Sequence, residues 1–142
     1  MPDALPITNL QQLLCSLEPL LQPGTYVYAT LPHGTDLSCC SPIAIIREAE
    51  GMTVVVDADI AQRLGWPVLF CAAWITLQVH SDLQAVGLTA AIATALAQAG
   101  LSCNVVAGAF HDHLFVPVKD AQAAMRVLHA LQHRAQDAEA AP

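Results

Sequence analysis

Apolar and polar residues alternate along most of this chain, and the period of the alternation marks its elements. Ile75, Leu77 and Val79 alternate with Thr76, Gln78 and His80, which predicts a strand with one buried face. Leu88, Ile92 and Leu96 then recur every fourth position among alanines. With Gly100 where a left-handed cap is wanted, they predict a helix from Val86 to Ala99. A hairpin follows. Cys103, Val105 and Ala107 alternate with Ser102, Asn104 and Val106, and Leu114, Val116 and Val118 repeat the pattern after a polar turn. A final helix begins near Asp120, with Ala121, Ala124, Met125, Leu128 and Leu131 on one face and Gln122, Arg126, His129 and Gln132 on the other.

The amino-terminal part reads less regularly. Thr8 or Asn9 is placed to cap a helix carrying Leu10, Leu13, Leu14 and Leu17, which Pro19 and the Pro23-Gly24 turn should stop. Tyr26 to Leu31 alternates as a strand, with Val27, Ala29 and Leu31 on one side and two tyrosines on the other. The turn-rich run PHGTDLSCCSP is expected to be a flexible loop bordering a site. Ile43–Glu48 and Met52–Val56 should pair around Gly51, and Asp57 or Asp59 should cap a short helix closed by Gly65. Residues 135–142 lack apolar periodicity and are expected to fray.

A ferredoxin-like unit needs strand, helix, strand, strand, helix, strand. By this reading the second half lacks its closing strand and the first half lacks its first. An incomplete buried sheet leaves backbone groups unpaired, so the halves, or two chains, should complete one another. Ala90, Ala93 and Ala97, on the helix side away from Leu88, Ile92 and Leu96, predict a second covered face, against another subunit or the sister half, and the expected assembly is a homodimer.

The element order and the run VGLTAAIATALAQAGLSCNVV resemble the ACT regions of aspartate kinases. HDHLFVPV, with REAEGMT at Arg47–Thr53, is similar to short stand-alone bacterial proteins made of paired ACT-type halves. The resemblance covers residues 10 to 133. It implies an α+β fold of tandem ferredoxin-like halves, antiparallel sheets with helices on one face, divided as 1–66 and 67–134. It also implies a non-enzymatic, amino-acid-binding regulatory role, with a regulated enzyme as partner.

Composition narrows the classes. Five Lys and Arg stand against twelve Asp and Glu in 142 residues, which argues against nucleic acid, since phosphate recognition needs clustered cations. Between Leu64 and His111 the only charged residue is Asp82, but polar side chains interrupt the apolar pieces before the ~20 residues a membrane span needs. MPDALPITNL has no secretory pattern, and five irregularly spaced cysteines read as reduced thiols, so the expected location is the cytoplasm. Cys15, Cys71 and Cys103 look like core residues.

The candidate site is the turn into the alanine-rich helix. A helix amino terminus offers unpaired N–H groups and partial positive charge to a carboxylate without any basic side chain. Asp82 can meet an α-ammonium group, and Gly87 lets a ligand approach the backbone. Carried over from the resemblance, the expected contacts are Ser81, Asp82, Val86, Gly87, Leu88, Asn104, Val105 and Val106. Each has a plain structural use too, as cap, turn or strand edge. His111 and His113, with His80, are a weaker metal-binding alternative, and no cofactor is expected. His80-Ser81-Asp82 is not a hydrolase triad, because sequence neighbours do not stack into nucleophile, base and orienter. Arg47 or Glu48 is expected to form an ion pair with the other half.

Overall fold

The computed structural model describes residues 5–142. In chain order its elements are helix α1 (Leu10–Cys15), strands β1 (Pro19–Leu21), β2 (Tyr26–Leu31), β3 (Ala44–Arg47) and β4 (Met52–Asp57), helix α2 (Ala58–Leu64), strand β5 (Phe70–Leu77), helix α3 (Leu88–Gln98), strands β6 (Asn104–Ala107) and β7 (Asp112–Pro117), and helix α4 (Ala121–Ala140). The strands form one antiparallel sheet in the order β3-β4-β2-β5-β7-β6, with β1 beside β2 on the same edge of β5.

That order explains the missing strands. In the second half β5, β6 and β7 supply three strands, and β1 supplies the fourth by pairing Pro19–Leu21 with Leu77–Ile75. The first half, β2-β3-β4, takes β5 as its fourth, through Tyr26–Tyr28 paired with Ala72–Phe70. Each half is closed by a strand from the other, and β5 belongs to both. One expectation is corrected here: the first half has its first strand, β2, and lacks instead the crossover helix. The strand β1 carries no period of its own, since it is three residues that start at Pro19 and end before the Pro23-Gly24 turn.

All four helices lie on one face of this sheet. Alternation sends Ala73, Ile75 and Leu77 toward α1, α3 and α4, where they meet Leu13, Leu17, Leu88, Ile92, Leu96 and Leu128 in the larger core. Each fully buried aliphatic side chain there contributes roughly 1.5–3 kcal/mol. Val27, Ala29, Leu31, Val54, Val56 and Ala61 make a smaller core under α2. Asp57 caps α2 by accepting from the Asp59 amide at 2.8 Å, and Gly65 ends it in the left-handed region.

The segment between β2 and β3 departs from expectation. It is held by packing: Cys40 is fully buried and Leu37 packs beside it in the smaller core, in the place a crossover helix would fill. Short-range bonds, Thr35 N–H to Pro32 oxygen and Ser38 N–H to Asp36 Oδ1, fold it onto itself. The core cysteine is therefore Cys40. Cys71 is exposed, and Cys15 and Cys103 are half-buried.

At the carboxyl end α4 runs to Ala140, so residues 135–140 are helical and not frayed. Gln132, expected on the polar face, is buried, and falls one turn after Leu128. Its Oε1 accepts the Glu18 N–H at 3.2 Å and its Nε2 donates to the Cys15 oxygen at 3.0 Å. Gln136 donates to that same oxygen, and Gln11 donates to the Ala135 oxygen at 2.7 Å. These bonds fix the turn that delivers β1 to its edge, at a point where Glu18 holds a positive φ of 43°.

Candidate functional site

The turn from β5 into α3 is built by short-range bonds and by the amino-terminal segment. Asp82 Oδ1 accepts the Gln84 N–H at 2.7 Å, and the Ala85 N–H donates to the Asp82 oxygen at 3.0 Å, which turns the chain outward. Leu83 and Val86 stand 67% and 84% exposed on that turn. Gly87 then opens α3 with φ 103°, a conformation L side chains avoid, and no side chain caps the helix. The first amides of α3 therefore stand without a side-chain cap at the mouth of this turn.

A strap crosses the base of this mouth. Ile7 pairs in parallel with Ser81: its N–H donates to the His80 oxygen at 2.8 Å, and its oxygen accepts the Asp82 N–H at 3.1 Å. Leu10 lies against Gly87, where an added Cβ would come within 3.1 Å of Leu10 Cδ2. The backbone groups beside Ser81 are thus already used, and Ser81 is buried. The start of α3 keeps no side-chain cap, and the half-buried Asp82 carboxylate has its Oδ1 held by the Gln84 N–H.

The eight expected contacts separate into two groups. Ser81, Asp82, Val86, Gly87 and Leu88 lie together on the turn, with the Leu88 side chain buried in the core below. Asn104, Val105 and Val106 lie elsewhere, on β6. Register sets Asn104 level with Phe115 and Trp74, three residues back from the row in which Leu77, Asp112 and Ala107 align. Val105 points into the larger core, whereas Val106 lies on the sheet face away from the helices.

The histidines of the following turn also part company. His111 Nδ1 faces the Val79 oxygen at 3.3 Å. His113 Nδ1 receives the Trp74 indole N–H at 3.0 Å, with the Thr76 hydroxyl 3.1 Å away. Burial lowers the His113 pKa, the nearby His111 adds to this, and Asp112 opposes it. Burial likewise raises the Asp112 carboxyl against the pull of His113 and His111. Among the described residues no group of three His, Cys, Asp or Glu side chains is placed to hold a metal ion. Glu48, expected to pair across halves, accepts a hydrogen bond from Thr53 of its own hairpin. No helix among the described residues is long and apolar enough to cross a membrane.

Two family models, each described as an ACT domain, match residues 6–73 and 72–130, so their boundary falls inside the shared strand β5. No curated protein matches the chain. Among solved structures, a Vibrio cholerae protein of unknown function, described as a possible transport protein, is 45% identical over 87% of this chain and 95% of its own, with a TM-score of 0.79. The ligand-free regulatory subunit of aspartate kinase from Thermus thermophilus shares the fold at 14% identity, covering 82% of this chain and 97% of its own, with a TM-score of 0.63. The corresponding subunit from Thermus flavus is also 14% identical, over 80% and 95%, with a TM-score of 0.59. With two matched domains completing one sheet between them, the chain belongs to the ACT domain family.

Proposed function

We propose that this chain is a non-enzymatic regulatory protein that binds a small amino acid at the amino terminus of α3. The observation that supports this best is the helix start at Gly87, which no side chain caps, on the turn that begins at Asp82. The amides of the first turn would receive the ligand carboxylate and Asp82 its ammonium group, so a zwitterion would be held with no basic side chain. Since the strap occupies the backbone on either side of Ser81, the working contacts reduce to Asp82, Gly87 and the first amides of α3. Asn104 and Val105 would act at a distance, through β6. The likeness to aspartate kinase regulatory subunits supports a regulated enzyme as partner, and the exposed Ala90, Ala93 and Ala97 support a homodimer with α3 against a second copy.

Binding would stabilise the folded state by mass action. A thermal-shift panel of the twenty amino acids should raise the melting temperature for one or a few of them. Gly87→Asp, which sets a carboxylate in the mouth, should abolish that rise. A flat panel at millimolar concentrations, in a protein that docks onto an enzyme, would replace this reading with that of a ligand-free interaction module.

A further inference from the structure

The sheet face opposite the helices holds a second constellation, one that the α3 mouth does not use. Trp74 lies at its centre. Tyr26 meets its indole edge-on at 5.1 Å and 88°, and Phe115 stacks beneath at 6.3 Å and 21°. These contacts, with the bond to His113, leave the indole little freedom, so an aromatic wall is already formed before any ligand arrives.

The hydrogen bonds also decide the histidine's tautomer. An indole nitrogen only donates, so the His113 Nδ1 it points to must be bare, and the neutral ring carries its proton on Nε2. Gln22 donates to Thr76 Oγ1 at 3.0 Å and fixes the hydroxyl beside Nδ1. Among the described residues no polar side-chain atom is left both buried and unpartnered, and the Nε2 edge of the ring lies beside Gly108, where an added Cβ would come within 3.3 Å of it.

Around this pair the sheet curls. Ile43 and Ala44, from the β3 edge, and Val106, from the β6 edge at the opposite end of the strand order, line one cavity of about 190 Å³ with Trp74, His113 and Phe115. An apolar cavity of roughly 150 Å³ accepts benzene, whereas drug-sized ligands fill about 300–1,000 Å³, so this volume selects a single ring. None of the six lining side chains is a formal ion, and the chain carries a net charge of −7, which disfavours a carboxylate.

We propose that this cavity is a second small-molecule site, taking a neutral compound of single-ring size with one hydrogen-bond acceptor. Its ring lies against Trp74 and Phe115, and its acceptor takes the Nε2 proton of His113. Because the walls come from both edges of the sheet, an occupant ties the first half to the second.

Benzamide, a ring with a neutral carbonyl, is the probe. Titrated into ¹⁵N-labelled protein, it should shift the Trp74 indole N–H and the amides of Ala44 and Val106 saturably, leaving those of Leu88 and Thr89 in place. Benzoate should bind about tenfold more weakly or worse. Val106→Phe, which fills the cavity from its edge, should abolish the shifts while the spectrum stays dispersed. Should that variant fail to fold, Ile43→Phe at the rim makes the same test. No saturable shift at millimolar benzamide, a shift confined to the start of α3, or equal binding by a folded cavity-filled variant would overturn the proposal. The amino-acid panel at α3 can succeed or fail without altering any of these outcomes.

Discussion

The two halves use the same strand plan and differ in the segment that leaves their first strand. After β5 the chain makes an eleven-residue helix with an uncapped start; after β2 it makes a packed loop plugged into the core by Leu37 and Cys40. Only the second half therefore presents the end of a crossover helix to solvent. Duplicated architecture does not imply duplicated chemistry. A helix dipole with an uncapped amino terminus arises in one half, while the other keeps the sheet and has no such helix end.

The comparison breaks first at β5, which both halves share. Ile75→Ala opens a cavity in the larger core and should cost about 2–5 kcal/mol, whereas Ile45→Ala on the outer strand β3, 51% exposed, should cost less than about 0.5 kcal/mol. Urea unfolding followed by circular dichroism and by tryptophan fluorescence measures both. The two probes should coincide, because neither half retains a complete sheet without β5. Next comes the staple that carries β1 to the second half. Gln132→Ala strands the Glu18 N–H and weakens the hold on the Cys15 oxygen, for about 1–3 kcal/mol in the same assay.

Gly87→Ala should come third, at about 1–2 kcal/mol, since a Cβ there meets both an unfavourable φ and Leu10. Gly34, in the loop of the first half, has nothing within 4 Å of an added Cβ; any cost there comes from its φ of 81° alone. A measured difference between the two variants isolates the strap contact.

The pH response is smaller and has a definite sign. His113, lowered from 6.5 by burial, binds fewer protons folded than unfolded, so stability should fall as pH drops below about 6.5. Asp112, raised by burial above 3.8, acts oppositely in more acid solution: its contribution is present at low pH and is lost as pH rises through its folded value. His113→Gln, which keeps an acceptor for Trp74, should flatten the upper window of the urea midpoint against pH. The least change is chemical. Burial pushes the Cys103 thiol up to about 11, so iodoacetamide near neutral pH should label exposed Cys71 well before Cys103, read by peptide mass mapping.

How far the sequence disclosed this depends on the range of the forces involved. Local periodicity and capping located β5, α3, β7 and α2, because Ile75, Leu96 or Asp57 act within one turn or one strand. Long-range pairing did not show. Pro19–Leu21 becomes a strand only because β5 needs a neighbour, and 135–140 stays helical because α4 lies along α1. Leu10 opens α1 as its spacing predicts and also lies against Gly87, while Ile7 pairs with Ser81, a contact that no local pattern marks. Local turn chemistry made Ser81–Leu88 legible as the loop that enters α3, whereas the place of Asn104–Val106, on β6 two strands from β5, depends on long-range pairing.

The most direct measurement is an amide titration of ¹⁵N-labelled protein with the pooled twenty amino acids. The account predicts saturable shifts of the Leu88, Thr89 and Ala90 amides, absent from Gly87→Asp. Unmoved amides at the start of α3 in a folded sample, or binding that survives in the variant, would contradict it.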